Sequence, residues 1–329
     1  MGCFTSEIVK KTAPDIWFPL SHADAIKRHA GLNLVALADK NKINLERSAK
    51  YFNVEKKYIN YENLIIDTQP ELLSIATRSN IRTEIIMLAL ENGVKAFHIE
   101  KPLCQKLEDL LKLEKKFSNK NLFFTYGTIR RYFDIYNQAR QLAHSGKFGR
   151  LREIKANFGF TNLMWSHPHT LDLLIFGSNE SDIVQIQAKL TNVKYGKNKN
   201  EILNDPKILS ANVYFKNGIM GSITQSDGCD LSFVCDNAEI IVRSDGEHID
   251  IYRRQGNNPY MTYRKDSNLF KNSSGITSNM FNKGGVADKT RMLFNEGDVA
   301  DKSFSDSFAE ARNNKQELFT WQGNSYTTR

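Results

Sequence analysis

Glu100, Lys101 and Pro102 follow a short apolar segment and place a charged group at a defined point of the chain. Residues 96–99 are typical of a buried strand, and residues 103–117 are typical of a leucine-rich helix. Ligands of α/β proteins bind at the carboxyl ends of parallel strands, and a proline there ends the strand and fixes the turn. The pattern therefore favours a lysine ammonium group held where it meets a substrate. A surface lysine before a helix with proline in its first position would give the same sequence.

Two histidines and an aspartate, His167, His169 and Asp172, lie close together further along the chain. They offer a general base, a neighbouring proton acceptor and an orienting carboxylate. The spacing of His169 and Asp172 puts both on one side of a predicted helix, although Asp172 would equally cap or brace that helix. Paired histidines also occur as metal ligands, but no other cluster in the sequence completes a ligand set. Acid–base chemistry is favoured over a structural cluster and over a metal site.

Asp39 ends an apolar segment, residues 33–38, that is typical of a buried strand. In a dinucleotide-binding fold, a carboxylate at this place accepts both ribose hydroxyls of an adenosine and repels a 2′-phosphate. Asp39 would also serve as a helix N-cap for residues 42–52. The nearby Lys40 and Lys42 offset part of the repulsion, so the sequence favours NAD over NADP without excluding NADP.

Strand and helix patterns alternate in the first third of the chain, which predicts an α/β fold with a parallel sheet and helices on both faces. The predicted strands are 33–38, 72–77, 96–99 and 122–126, and the predicted helices are 43–52, 81–92 and 103–117. We assign residues 1–126 to this dinucleotide-binding domain.

From about Gly127 the pattern changes to one helix followed mostly by strands with short turns, which predicts an α+β domain with an open antiparallel sheet. The predicted elements are a helix over 132–144 and strands over 151–160, 183–190, 210–215, 219–227, 231–235, 238–243 and 248–253. Beyond residue 255 the sequence predicts long loops and one short helix near 303–313. We assign residues 127–329 to this substrate and oligomerisation domain.

Composition limits the class of protein. The 329 residues suggest about two domains. The formal charge of +8 comes from scattered lysines, so a solvated surface is favoured, ahead of phosphate-bearing ligands and of nucleic acid. The four cysteines have no CxxC spacing and fit a reducing compartment, which indicates the cytoplasm. No apolar run approaches the ~18 residues that span a membrane. The N-terminal residues 1–6 match a lipidation pattern, but a soluble enzyme is the favoured interpretation.

The order of several segments resembles the Gfo/Idh/MocA-type oxidoreductases, a family that includes inositol and sugar-nucleotide dehydrogenases. The resembling segments are 34–39, 61–64, 74–77, 89–93, 100–103, 130–132, 146–149 and 169–173. Together they cover residues 20–255 in the right order, which is more specific than any one motif. The resemblance implies a Rossmann-like first domain that binds NAD or NADP. It also implies that Lys101 contacts the reacting hydroxyl and the nicotinamide, and that His169 is the general base.

Three departures from the family pattern affect the expected site. No strand with a glycine-rich turn precedes residue 20, so Gly2 would be the remnant of the pyrophosphate loop and the first strand of the sheet would be missing. Trp165 stands where the family often has an aspartate, four residues before the histidine. Residues 77–82 replace the usual Thr-Pro and later His, so the contacts to the nicotinamide are expected to differ.

These observations predict an NAD(P)-dependent oxidoreductase that acts on a sugar, a cyclitol or a nucleotide-linked sugar. Lys101, His169 and Asp172 are the expected catalytic residues. The expected cofactor contacts are Gly2, Asp39, Thr77, Glu100 and Lys101, and the expected substrate contacts are Arg130, Arg131, Trp165 and His167. A homo-oligomer formed through the antiparallel sheet is expected, with no nucleic acid or membrane partner. The alternatives are a non-catalytic regulatory protein of the same fold and a truncated, inactive dehydrogenase.

Overall fold

The structure is a computed structural model that describes Lys11, residues 18–118, 121–197, 202–254 and 263–266, and the backbone of two short strands near the C-terminus. The first part alternates strands and helices. Its elements in chain order are α1 (His22–Arg28), β1 (Ala36–Ala38), α2 (Lys42–Phe52), β2 (Lys56–Tyr58), α3 (Tyr61–Thr68), β3 (Leu72–Ile75), α4 (Arg82–Glu91), β4 (Ala96–Ile99), α5 (Leu107–Phe117) and β5 (Phe123–Tyr126). A 3₁₀ turn, Ser79–Ile81, precedes α4.

The strands of this first part form two separate parallel sheets. One sheet pairs β1 with β2, and the other has the order β3-β4-β5. No strand lies in the described residues 18–35 before β1, and within the described chain β3 pairs with β4 alone. The predicted α/β class with a parallel sheet is confirmed. The expectation for residues 1–10, including Gly2, lies outside the described residues.

Helix α2 shows how the sequence encodes these elements. The side chain of Asn41 caps the helix by accepting from the Asn44 backbone N–H at 3.1 Å. Leu45, Ala49 and Phe52, at helical spacing, are buried against Leu37 and Val54. The second sheet has its own core of aliphatic residues and Phe97 between α3, α4 and α5, formed by Leu64, Ile65, Ile75, Ile85, Ile86, Ala89, Val94, Phe97, Ile99 and Leu113.

The second part is one eight-stranded sheet with two helices packed on it. After a 3₁₀ turn, Ile129–Tyr132, its elements are α6 (Asp134–His144), β6 (Leu151–Asn157), α7 (His167–Gly177), β7 (Ile183–Leu190), β8 (Ile208–Phe215), β9 (Met220–Thr224), β10 (Asp230–Cys235), β11 (Ala238–Arg243), β12 (His248–Arg254) and β13 (Tyr263–Lys265). The strand order is β13-β12-β11-β10-β6-β9-β8-β7. All neighbours are antiparallel except β6 and β9, which are parallel. The predicted α+β architecture is therefore confirmed, with a mixed rather than a purely antiparallel sheet.

Several element boundaries differ from the prediction. The helix expected from residue 103 begins at Leu107, because the Arg82 guanidinium holds the Pro102 carbonyl and Gln105 donates to the Ser79 hydroxyl, which keep the intervening backbone out of the helix. Pro102 is therefore not the first residue of a helix. Helix α1, strand β2 and helix α3 were not predicted, and α1 lies where a long loop was expected.

The C-terminal region also differs from the prediction. Beyond residue 255, where only loops and one helix were expected, the structure has β13 and a hairpin of β14 (Leu318–Trp321) and β15 (Asn324–Thr327). The predicted helix near 303–313 lies outside the described residues. No helix in the described part of the chain is long and apolar enough to cross a membrane.

Candidate active site

A cleft of about 1240 Å³ lies between the carboxyl ends of the β3-β4-β5 sheet and the start of α7. The first part of the chain contributes polar side chains from the strand ends, and the second part contributes side chains from the 3₁₀ turn and from the loops around α7. The lining includes Ser74, Thr77, Arg82, His98, Glu100, Lys101, Arg130, Trp165, His169 and Asp205. The cleft thus brings together Lys101 and His169, two sites that the sequence predicts separately.

Lys101 follows β4 and points into this cleft. Its ammonium group donates to the backbone carbonyl of Trp165 and lies 4.3 Å from the centre of the Trp165 ring. Burial lowers the pKa of Lys101; Glu100 opposes this shift, while Arg130 and Arg82 add to it. The lysine is therefore held by a neighbouring loop, in surroundings that favour the release of its proton.

Glu100 is fixed by a histidine that the sequence analysis did not assign to the site. Its carboxylate contacts the His22 Nε2 atom at 3.2 Å and accepts from the Lys101 backbone N–H at 3.1 Å. Burial raises the pKa of Glu100, but the His22 hydrogen bond and nearby positive charges outweigh this effect and lower the pKa to about 2. Because an ionised carboxylate only accepts hydrogen bonds, His22 Nε2 carries a proton and Nδ1 accepts from the Ser74 hydroxyl at 2.7 Å. The sequence signal for His22 is weak, a serine N-cap followed by a short helix.

A polar layer crosses the floor of the cleft. Ser74, His98 and Thr125 are cross-strand neighbours on β3, β4 and β5. The His98 Nδ1 atom lies 2.7 Å from the Thr125 hydroxyl, and the His22 ring lies 4.3 Å from the His98 ring. Burial, followed by the proximity of His22, lowers the pKa of His98 to about 3. This layer is therefore uncharged at neutral pH.

Arg82, the first residue of α4, holds the corner that carries Lys101. Its guanidinium donates to the carbonyls of Thr77, Glu100 and Pro102, and only 4% of the residue is exposed. Residues 77–82 depart from the family pattern, but no sequence motif indicates this role for Arg82. The pairing depends on carbonyls 18 and 20 positions away, which no local pattern reveals.

His169 lies on α7 and faces the same cleft. Its Nδ1 atom is buried and has no hydrogen-bond partner in the part of the chain that the structure describes. Burial, with smaller contributions from Arg130 and Lys101, lowers the pKa of His169 to about 3. The imidazole is therefore neutral at pH 7, which is the form that accepts a proton.

Asp172 does not contact His169, contrary to the expectation that it orients the base. Its carboxylate binds the Arg131 guanidinium at 2.7 Å, and Arg131 also binds Glu180 at 3.0 Å. The physical reason is that an arginine fork facing a buried carboxylate forms a stronger, two-point contact than a neutral imidazole offers. Asp172 thus braces α7 against the 3₁₀ turn, and Arg131 is occupied by two carboxylates outside the cleft lining.

His167, which was expected to contact the substrate, lies outside the cleft lining. It has no exposed surface, and its two ring nitrogens lie 3.2 Å from the Thr161 hydroxyl and 2.8 Å from the Thr170 hydroxyl. Two threonine partners satisfy the ring, so it is a structural residue at the start of α7.

Arg130 lines the cleft, but Asp245 binds its guanidinium. Two parallel contacts join them, one of them at 2.6 Å, and the Tyr136 hydroxyl donates to the same carboxylate at 3.0 Å. Burial disfavours the charge, yet the bond to Asp245 raises the pKa of Arg130. Arg130 is therefore a fixed positive charge beside the cleft. Trp165 also lines the cleft, and 71% of it is exposed.

Asp39 lies at the carboxyl end of β1, as the sequence predicts, but outside the cleft lining. Its carboxylate accepts from the Asn41 backbone N–H at 2.8 Å. Asn41 is the N-cap of α2, so the interpretation of Asp39 as that cap is wrong.

Thr77, another expected cofactor contact, lies in the cleft wall. Within the described residues no group of three or more His, Cys, Asp or Glu is arranged to hold a metal ion.

Comparison with known proteins agrees with this fold. A family model described as "Oxidoreductase family, NAD-binding Rossmann fold" (GFO_IDH_MocA) matches residues 17–128, so the resemblance expected from the sequence is confirmed. Trans-1,2-dihydrobenzene-1,2-diol dehydrogenase from Mus musculus is 30% identical over 127 residues, which cover 39% of this chain and 38% of the relative. The scyllo-inositol 2-dehydrogenase (NAD(+)) of Bacillus subtilis is 27% identical over 120 residues, 36% of this chain and 35% of the relative. The chain thus spans less than two fifths of the length of these curated relatives.

Solved structures share the fold over a larger part of the chain. An NAD binding oxidoreductase from Klebsiella pneumoniae has a TM-score of 0.61 at 18% identity, covering 74% of this chain and 75% of the other. Levoglucosan dehydrogenase in complex with NADH and levoglucosan has a TM-score of 0.57 at 16% identity, covering 70% of each chain. The super-repressor mutant of Gal80p from Saccharomyces cerevisiae has a TM-score of 0.58 at 15% identity, covering 82% of this chain and 83% of the other. At these identities the likeness concerns the fold alone.

Proposed function

We propose that this chain, whose residues 17–128 match the family model of oxidoreductases with an NAD-binding Rossmann fold, is an NAD(P)-dependent dehydrogenase or reductase. Its substrate is a sugar, a cyclitol or a nucleotide-linked sugar. The observation that carries the proposal is the convergence of Lys101 and the neutral His169 on one cleft.

The residues present fit a substrate at His169 and a dinucleotide at two further places. The buried Nδ1 atom of His169 lacks a partner within the described chain, which is the state expected of a group that meets a ligand. Thr77 and Glu100 lie in the same cleft wall, where the nicotinamide end would be held. Asp39 stands at the end of β1, where its carboxylate would accept the adenosine ribose hydroxyls and favour NAD over NADP. The expected Gly2 contact to the pyrophosphate falls outside the described residues.

Lys101 and His169 would have different roles in the oxidation of an alcohol. Lys101 would donate a hydrogen bond to the substrate hydroxyl and stabilise the negative charge that develops on its oxygen. His169, neutral because it is buried, would accept the hydroxyl proton. The bound nicotinamide supplies the hydride chemistry. The bond to the Trp165 carbonyl uses one of the three N–H donors of the ammonium group, so Lys101 would donate to the substrate hydroxyl while this bond persists.

Other residues shape the site. The fixed positive charge of Arg130 lies beside the cleft and would favour an electron-rich substrate oxygen. The exposed Trp165 ring would stack on a sugar face. Asp172, Arg131 and His167 are assigned to the structure rather than to the chemistry, for the reasons given above.

The outer face of the eight-stranded sheet is the proposed surface for a homo-oligomer. Val184 and Ile186, on the edge strand β7, are 63% and 56% exposed. An open sheet commonly buries one face only, so a second copy would cover these side chains.

The free thiols of Cys104, Cys229 and Cys235 fit the reducing cytoplasm expected from the sequence.

A non-catalytic regulatory protein is the second candidate, and the shared fold with the Gal80p mutant favours it. Such a protein would bind nucleotide or sugar without turning it over. The arrangement of Lys101 and His169 argues for catalysis, because a sensor has no use for a proton acceptor beside an ammonium group.

A turnover assay separates the two candidates. The protein is incubated with NAD or NADP and a panel of sugars, inositols and nucleotide-linked sugars, and the absorbance of the reduced cofactor is followed. We expect formation of reduced cofactor with at least one pair and none with Lys101→Ala under the same conditions. Tight binding of nucleotide by calorimetry without turnover on any pair would favour the regulatory protein.

A further inference from the structure

The side chain of Arg82 occupies an unusual position between two loops of the site. It begins α4, yet its guanidinium reaches back to the Thr77 carbonyl after β3 and across to the Glu100 and Pro102 carbonyls after β4. The bond to the Glu100 carbonyl measures 2.5 Å. The residue is almost fully buried, and its Nε atom has no partner among the described residues. The terminal nitrogens alone therefore set the orientation of the guanidinium.

Two of these three carbonyls flank the lysine in the chain. Glu100 and Pro102 are the residues directly before and after Lys101, so Arg82 fixes the backbone on both sides of it. A guanidinium presents several N–H donors in a rigid planar fork, whereas an ammonium group is a compact point charge. Only the fork can hold carbonyls that converge from two separate loops.

We propose that Arg82 is a positioning residue for Lys101: its guanidinium clamps the two loops and thereby fixes the direction in which the ammonium group enters the cleft. The inference rests on the proposed dehydrogenase function, because it assigns Lys101 to the reacting hydroxyl. A displacement of about 1 Å in a catalytic group can cost ~10²-fold in rate, so a clamp of this kind has a measurable effect.

Arg82 also acts on Lys101 through its charge, which gives a readout that a purely structural role would not move. The charged and titratable groups facing Lys101 are Glu100 beside it, Arg82 on α4, Arg130 on the 3₁₀ turn, His169 on α7 and Asp205 on the loop before β8. Removing the charge of Arg82 leaves the other groups in place and therefore raises the pKa of Lys101. Replacing the guanidinium by an ammonium group keeps the charge and loses the fork.

The test compares Arg82→Lys and Arg82→Gln with a matched control, Arg152→Lys. Arg152 also donates to a backbone carbonyl, that of Cys235, and pairs with Asp236, but it lies outside the cleft lining. Three quantities are measured on the full chain: kcat and KM, the melting temperature, and the pKa of Lys101 from the pH dependence of its acetylation by acetic anhydride, read by peptide mass spectrometry.

We expect Arg82→Lys to lower kcat at least ~10-fold while KM for the cofactor changes far less. Arg82→Gln should raise the pKa of Lys101 in addition, and Arg152→Lys should alter neither quantity. Wild-type kcat in Arg82→Lys overturns the proposal, as does a loss of kcat in Arg152→Lys as large as in Arg82→Lys. If Arg82→Gln does not fold, the kcat of Arg82→Lys relative to the wild type and to Arg152→Lys decides whether the proposal holds.

The experiment distinguishes an error in the proposed dehydrogenase function from an error in the role proposed for Arg82. If the wild-type protein turns over none of the substrates, the acetylation measurement decides. A raised Lys101 pKa in Arg82→Gln then supports the placement of Lys101 by Arg82 while the dehydrogenase function is lost. An unchanged pKa overturns the inference itself.

Discussion

The ammonium group of Lys101 donates a hydrogen bond to the backbone carbonyl of Trp165, 64 positions further along the chain. This bond joins the end of β4 to the loop that precedes α7 and thus connects the parallel sheet with the second part of the molecule. It uses one of the three N–H donors of the ammonium group. Substrate binding would therefore add a second acceptor while the bond to the Trp165 carbonyl continues to orient the lysine.

Replacing Trp165 by alanine tests the contribution of its ring, because the carbonyl remains in every variant. Loss of the ring removes the contact with the Lys101 ammonium group, 4.3 Å from the ring centre, and the surface proposed to stack on a sugar. Stacking on the ring would contribute about 0.5–1.5 kcal/mol to sugar binding, so we expect KM for the sugar to rise several-fold with a smaller change in kcat. Trp165→Phe, which keeps an aromatic face, should retain most of the affinity. Equal KM values in Trp165→Ala and the wild type would contradict the stacking role.

Asp39→Ala should weaken NAD binding and reduce the preference for NAD over NADP. The carboxylate is proposed to accept the ribose hydroxyls and to repel a 2′-phosphate. Asp39→Asn is the matched variant, since its amide oxygen still accepts from the Asn41 backbone N–H while the charge is lost. Calorimetric titration of both variants with NAD and NADP measures the change. If neither titration changes, Asp39 serves only the local turn.

Asp172→Asn should reduce stability more than turnover. Asp172 pairs with Arg131 and does not contact His169, so the substitution leaves the base in place and removes a partly buried ion pair. Breaking a fully buried pair costs about 3–5 kcal/mol; because the Asp172 and Arg131 side chains are 15% and 23% exposed and Arg131 keeps Glu180, we expect a smaller loss of stability. The melting temperature and kcat are measured together. A loss of kcat as large as that of His169→Ala, at unchanged melting temperature, would restore Asp172 as an orienting group.

His98 makes the stability of the first part of the chain sensitive to mild acid. Its pKa is about 3 in the folded protein against an ordinary value of 6.5, so below pH 6.5 the unfolded chain binds the proton more readily and stability falls. At about pH 5 the protonation of His98 in the unfolded chain lowers the free energy of unfolding by about 2 kcal/mol. Glu100 does not contribute in this window, because its pKa lies near 2 against an ordinary 4.5.

The measurement is thermal melting as a function of pH for His98→Gln, whose amide still reaches Thr125 but does not titrate. We expect a smaller drop in melting temperature between about pH 7 and pH 5 than in the wild type. His248→Gln serves as the control, since the His248 side chain is 52% exposed. An identical drop in His98→Gln and the wild type would show that His98 is not the titrating group.

Local sequence patterns predicted the α/β class and the position of Lys101 at the carboxyl end of a strand. Residues 96–99 form β4 at the predicted bounds, because a short apolar run before proline specifies a buried strand without distant contacts. The partners of the charged groups were not predictable in the same way. Helical spacing allowed Asp172 to face His169, but Arg131, 41 positions earlier, takes the carboxylate. The roles of Arg82 and His22 likewise depend on groups that only the folded chain brings together.

The most direct test of the account is the turnover of Lys101→Ala, His169→Ala and the double variant beside the wild type, with the cofactor and sugar pair that the panel identifies. Each single substitution should lower kcat by at least ~10²-fold, with the fold retained by circular dichroism. The double variant should lose less than the product of the two single losses, because both groups act on one hydroxyl. Turnover within tenfold of the wild type in either single variant would contradict the proposal that Lys101 and His169 form one catalytic site.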